Sequence, residues 1–220
     1  MTTGEESATE NPRKASRRSH AQRSASTRAK VIAAARDVLF SQGYSGATMH
    51  TIRDAAGMSL GAIQHQFPTK AKLMAAVFEE ASARRTKVYA AAIRRGTTAR
   101  ESMENLLDAN LEMIVLPEAA AVLEIHLARR NDGELDREVQ PGARRFDRRV
   151  SRWGHRILRA GGVENSAFVQ SLQVMNNAIT RGLTVEYVRN RDKRAIDRAA
   201  KTWKAHVMTM LFDRGEQLGA

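Results

Sequence analysis

The run Gly57-Met58-Ser59-Leu60-Gly61 spells G-x-S-x-G. At that spacing a serine can sit exposed on a sharp turn and attack an acyl carbon. The chemistry requires a strand before the serine and a helix after it. Here the preceding residues read as a helix, with Met49, Ile52 and Ala56 on one face. No run of alternating β-branched residues is long enough to supply a sheet. A hydrolase using Ser59 is therefore the least favoured reading. The six histidines, at positions 20, 50, 65, 126, 155 and 206, form no pair at metal-ligand spacing. Cysteine is absent, which excludes a disulfide scaffold, a thiolate metal site and a Cys nucleophile. There is no HExxH, GxGxxG or GxxxxGK[ST]. No catalytic residue, metal or cofactor is expected.

The same residues suit a different chemistry. Thr48 is placed to cap a short helix over 48–56, Gly57 makes a tight turn, and a second short helix runs from Ser59 to about Gln66 with Ile63 and Phe67 inward. Pro68-Thr69 ends it, and Thr69 can cap the next helix at Lys70. A longer helix before them carries Val31, Ala35, Val38 and Leu39 at helical spacing and stops at Gly43. Two short helices joined by a Gly turn and braced by a third make a helix-turn-helix. Its second helix presents N-terminal side chains to the major groove, and its helix N-termini suit phosphate.

Charge supports an anionic partner without locating the contact. The 220 residues carry 36 Lys and Arg against 24 Asp and Glu, a formal charge of +12. Residues 1–30 hold seven basic and three acidic side chains, whereas residues 31–80 hold four of each. The balanced segment is the one with the helix-turn-helix, so the excess steers encounter more than it reads bases. Residues 1–26 lack any hydrophobic period and are rich in Ser, Thr, Arg and Glu; they are expected to be a disordered basic arm. The exposed-looking run Arg144, Arg145, Arg148, Arg149 and Arg152 has no assigned role.

Beyond residue 70 the pattern is helical to the end, in six further segments, with Pro141 expected to kink or break the seventh helix of the chain. Polar residues interrupt apolar stripes there: Asn110 among Met103, Leu107 and Ile114; His126 after Leu123; Gln173, Asn176 and Asn177 around Met175. A buried polar group needs a partner, which is either another helix or a ligand in a cavity. The ligand reading selects Met103, Leu107, Asn110, Ile114, His126, Trp153, Phe168, Met175 and Asn176. The last two helices have broad apolar faces, and Leu172, Ile179, Leu183, Trp203, Val207 and Met210 are the expected interface of a four-helix dimer contact.

Residues 28–78, RAKVIAAARDVLFSQGYSGATMHTIRDAAGMSLGAIQHQFPTKAKLMAAVF, resemble the DNA-binding domain of the tetracycline-repressor (TetR) family. The resemblance is carried by the Ala-rich first helix ending FSQGY, then Thr48, Ile52, Ala56-Gly57, Ser59, Gly61 and Phe67-Pro68-Thr69-Lys70. It implies an all-α chain: an N-terminal three-helix helix-turn-helix domain (27–72, after the arm 1–26) and a C-terminal helical bundle (73–220) for ligand binding and dimerisation. It implies phosphate contacts at Thr48 and Lys70, and a base-facing helix start at Ser59, Leu60, Gly61 and Ala62. Gln64 and His65 fall where the family uses aromatics, or an aromatic and a His, on phosphate and base edges. Gln64 replaces a usual Tyr and can bond adenine bidentately, a discrimination of roughly 1–3 kcal/mol. Leu60 and Ala62 offer apolar contact, for example to a thymine methyl. Arg53 stands where the family usually has Ala, so its stem snorkels outward or its helix rotates.

The implied function is a homodimeric, sequence-specific transcriptional regulator, a repressor released from a palindromic operator by a small-molecule effector. No membrane segment or secretory signal is visible, and a cytoplasmic location is expected. The rival reading is a basic architectural protein that binds nucleic acid without sequence preference; it predicts that deleting residues 1–26 abolishes binding.

Overall fold

The computed structural model describes residues 12–213, and the side chains from residue 22 onward. The described chain contains α1 (Pro12–Gly46), α2 (Met49–Ala56), α3 (Leu60–Gln66), α4 (Lys70–Arg95), α5 (Ala99–Glu112), α6 (Pro117–Ala128), α7 (Gly133–Ala160), α8 (Ser166–Asn190) and α9 (Lys193–Phe212). Among the described residues there is no strand, and no helix is long and apolar enough to cross a membrane.

Local chemistry sets most of the boundaries. Thr48, Ser59, Thr69, Thr98, Asp132, Asn165 and Asp192 each accept a bond from a backbone N–H in the first turn of the helix they precede. Each thereby satisfies one of the four N–H groups a helix start leaves open. Pro117 opens α6, where its missing N–H costs nothing.

Two expectations change. The arm over 1–26 was expected to be disordered, but α1 already begins at Pro12; residues 1–11 lie outside the described part. Residues 13–25 are mostly Lys, Arg, Ala, Gln and Ser. Most of these are good or fair helix formers, and they extend a helix that packing has already nucleated, so only the small propagation term is needed. Pro141 neither breaks nor interrupts α7. Its neighbours Val139, Gly142 and Ala143 are buried, and α7 has its most extensive packing against α4. That packing outweighs a local penalty of about 3 kcal/mol.

One apolar core joins α1–α3 to the first half of α4, to α6 and to the start of α7, through residues such as Leu39, Ile52, Ile63, Leu73, Phe78, Ile125 and Leu135. A second core holds Tyr89, Met103, Leu107, Ile157, Leu172, Val207 and Leu211 from α4, α5, α7, α8 and α9. α4 enters both, so the expected boundary after residue 72 falls within a continuous helix.

Candidate nucleic-acid interface and ligand cavity

The helix-turn-helix is built from three caps and one glycine. Thr48 Oγ1 accepts from Thr51 N–H at 3.1 Å, and Ser59 Oγ accepts from Ala62 N–H at 3.2 Å. Between them Gly57 takes φ 61°, a left-handed conformation that ends α2 without the strain a Cβ would add. Ser59 therefore lies between two helices with its hydroxyl engaged as a cap, not on a strand-to-helix turn. Ile52, Ala56, Ile63 and Phe67 are buried, which turns the other face of α3 outward. Thr48, Ser59, Gly61, Gln64 and His65 are exposed, while Leu60 and Ala62 are half-buried. Arg53 projects outward: its guanidinium pairs with Asp54 at 2.6 Å and reaches His50 Nδ1 at 3.4 Å.

Lys70 is placed differently from a free phosphate-seeking side chain. Its ammonium donates to the Tyr44 carbonyl at 2.7 Å and sits 3.8 Å from the centre of the Tyr44 ring. Burial pushes the Lys70 pKa down, and the nearby Asp132 carboxylate opposes that shift. Tyr44 itself donates its hydroxyl to Asp132 at 3.0 Å and its backbone N–H to Glu124 at 2.8 Å. Burial and the Asp132 partner raise the phenol pKa. Through Tyr44 the end of α1 is thus tied to α6, to the cap of α7 and to the first residue of α4.

The C-terminal helices line a half-open cavity of about 130 Å³, bordered by Met103, Leu107, Asn110, Leu172, Asn176 and Val207 among others. A neighbouring lobe of about 90 Å³ is lined by Ile114 and His126 among others. Arg85, Asn110, Phe146, Asp147 and Asn177 line both, so the two lobes share a waist. Of the expected ligand residues, Met103, Leu107, Asn110, Ile114, His126 and Asn176 are brought together here. Trp153, Phe168 and Met175 are not. The first two pack half-buried on the second core, and Met175 is 48% exposed. The polar residues on the apolar stripes also bond within the protein. Tyr89 donates to Asn110 Oδ1 at 2.5 Å, and Trp203 Nε1 donates to Asn176 Oδ1 at 2.9 Å. His126 has its pKa pushed down to about 4 by burial, then by Arg181, Arg129 and Arg85. It is neutral at pH 7 and accepts from Arg129 at 3.2 Å through Nδ1.

The expected dimer residues mostly face inward. Leu172 and Val207 are buried and line the cavity. Trp203 is held by Asn176, and Leu183 packs on the Leu111, Ile114, Ile196 and Ala200 cluster. Ile179 and Met210 are half-buried. The strongest apolar stripes of α8 and α9 cover the protomer's own core. The outward face of α8 is weaker in hydrophobicity: Val174 and Val185 are 68% and 42% exposed, with exposed Ala178 and Gly182 between them.

Residues 31–77 match the family model for bacterial regulatory proteins of the tetR family. The HTH-type transcriptional regulator CymR of Pseudomonas putida is 29% identical over 182 residues, spanning 83% of this chain and 89% of CymR. Over residues 31–77 the chain is similar to the TetR family. Solved structures share the fold over nearly their whole length. A transcriptional regulator from Saccharomonospora viridis, in complex with choline, matches with TM-score 0.68 at 16% identity, over 83% of this chain and 96% of its own. FadR of Bacillus subtilis, in complex with stearoyl-CoA, matches with TM-score 0.68 at 16% identity, over 82% of this chain and 97% of its own.

Several contacts near the helix-turn-helix have no signal in the sequence. Gln66 donates to Ser24 at 3.1 Å, and the Arg28 guanidinium lies 4.5 Å from the Phe67 ring centre, so the extension of α1 abuts the recognition helix. Arg191, at φ 54° in the α8–α9 turn, lies 4.4 Å from the Phe40 ring centre in α1. A positive φ at a non-glycine residue has no local sequence signal, and neither pairing could be read from spacing. Arg85 and Tyr89, at the waist of the cavity, were signalled only by their i, i+4 spacing on α4.

Proposed function

We propose that the protein is a homodimeric repressor that binds a near-palindromic operator and releases it when a small molecule fills the cavity. The observation that carries this reading is the continuity of α4. Its first half shares one apolar core with α1–α3, through Leu73, Met74 and Phe78, and its second half presents Arg85 and Tyr89 to the cavity. A ligand that favours a different setting of α4 shifts the helix-turn-helix with it. It need only bind the DNA-incompetent state better, with a coupling of roughly 1–3 kcal/mol.

In this reading residues 27–72 read DNA and residues 73–220 bind the effector and the second subunit. Thr48 and the N-termini of α2–α4 hold phosphates; Ser59, Leu60, Gly61, Ala62, Gln64 and His65 face bases. Lys70 contributes to phosphate binding with the N–H bonds that Tyr44 leaves free. The dimer forms through the outward face of α8, with Val174, Ala178, Gly182 and Val185 meeting their symmetry mates. The similarity to CymR, a transcriptional regulator, supports a regulator of this type, and the proposed setting is the cytoplasm.

Selection of bound sequences from a random duplex pool, followed by footprinting, tests the proposal. It predicts one near-palindromic site protected symmetrically, and weakened protection once a cavity ligand is added. Equal protection of all duplexes would instead favour an architectural nucleic-acid binder.

A further inference from the structure

α7 carries an arginine stripe that the proposed function leaves unused. Arg144, Arg148, Arg149, Arg152, Arg156 and Arg159 are all exposed. At about 100° per residue they fall, together with Arg145, within an arc of about 140°, opposite the buried Val139 and Ile157. From residue 144 to the end of α7 that arc holds no carboxylate. Asp147, the acid in this stretch, lies off the arc and lines the cavity lobes. Arg145 pairs with Glu79 of α4. The other six side chains make no ion pair or hydrogen bond among the described residues. Like charges also stand four residues apart in Arg144–Arg148, Arg148–Arg152 and Arg152–Arg156, an arrangement that weakens a helix. Packing of the buried face sustains α7 against this repulsion, and no local partner relieves it.

We propose that this stripe is a second nucleic-acid surface, which grips the phosphate backbone of a duplex other than the one held at the recognition helix and reads no bases. α7 starts in the core shared with α1–α3, through Leu135 and Val139, and ends in the second core, through Ile157 and Leu158. From Asp132, which is bonded to Tyr44, to Arg148 the helix rises about 24 Å. The stripe is thus carried by the effector half of the chain. Over residues 144–159 the rise is about 23 Å, so one unpaired guanidinium is offered about every 4 Å. One strand of a duplex presents a phosphate charge about every 3.4 Å. The linear charge densities match, and the planar guanidinium fork binds phosphate bidentately. A lipid surface suits the stripe less well. A helix lying in a lipid interface inserts its apolar face. The apolar face of α7 is buried in the two cores, and none of the exposed large hydrophobic residues lies on α7.

The test measures binding of the full chain to a fluorescent duplex of scrambled sequence, by anisotropy across roughly 50–200 mM salt. One variant combines Arg148→Gln, Arg149→Gln, Arg152→Gln and Arg156→Gln. A second, of the same net charge, combines Arg94→Gln, Arg95→Gln, Arg194→Gln and Arg198→Gln, all exposed on α4 and α9. Far-UV circular dichroism verifies that both are folded. The stripe variant should bind roughly 10- to 100-fold more weakly, and its slope of log affinity against log salt should shallow by about 0.9 per lost contact. The charge-matched variant should keep the wild-type slope, and Arg→Lys at the four stripe positions should restore most of it. Wild type loaded on an immobilised duplex should capture a second, labelled duplex, and the stripe variant should not. An unchanged slope in the stripe variant, an equal loss in the charge-matched variant, or no capture of a second duplex by wild type would each overturn the inference. Retention on phosphatidylglycerol vesicles that is lost in the stripe variant, with duplex binding intact, would overturn it in favour of a membrane surface. Sequence selection from a random pool should be the same for wild type and the stripe variant, so failure of that selection counts against the recognition-helix reading alone.

Discussion

Gln64 is exposed on α3 beside the buried Ile63, and its amide both donates and accepts. In the proposed base-reading role, that matches the donor–acceptor edge of adenine. Gln64→Ala should lower discrimination at one operator position by about 1–3 kcal/mol while leaving the remaining positions unchanged. Fluorescence anisotropy with single-base operator variants reads this directly. His126 makes a second prediction at the same scale. Its pKa in the folded chain is about 4, below the value of roughly 6.5 for an unperturbed histidine. The unfolded chain therefore takes up the proton first as pH falls. The stability that the neutral ring contributes is complete above about pH 6.5 and is lost progressively toward pH 4. Between pH 7 and pH 5 the loss from this residue should be about 2 kcal/mol. Urea unfolding at the two pH values should show it in wild type, and the slope should shrink in His126→Gln.

At the scale of elements, Gly43 breaks α1 with φ 68° and ψ −177°, a conformation essentially reserved for glycine. The break turns Tyr44 toward Glu124 and Asp132, and so sets how the helix-turn-helix joins α6 and α7. Gly43→Ala should cost about 1–3 kcal/mol of stability in thermal or urea unfolding. This stop at Gly43 was legible in the sequence, as were the caps Thr48, Ser59 and Thr69 and the turn at Gly57, because each depends on a few neighbouring residues. Pro141 and the extension of α1 to Pro12 were not legible. Their outcome is decided by packing against α4 and by propagation from a helix nucleated elsewhere. The outward and inward faces of α8 and α9 were also confused for a physical reason. Hydrophobic period shows that a face is covered, but not whether the cover is the same chain or another copy. Leu172 and Val207 therefore read as interface when they line the cavity, and the weaker stripe at Val174, Ala178 and Val185 went unremarked.

For the whole molecule, the proposed function links dimerisation to DNA binding, since two recognition helices reach successive major grooves only if a two-fold axis fixes their spacing. A charge placed on the outward face of α8 should separate the subunits without disturbing either core. Ala178→Arg is expected to elute as a monomer in size-exclusion chromatography, to keep its helical circular dichroism, and to bind operator duplex far more weakly than wild type. A variant that stays dimeric would move the interface elsewhere on the surface. The same two-fold logic gives the most direct test of the central claim, which is selection from a random duplex pool by the intact protein. The expected product is one near-palindromic sequence with half-site centres about 10 base pairs, or a multiple of that, apart. Recovery of a pool with no shared sequence, bound in proportion to duplex length alone, would contradict it.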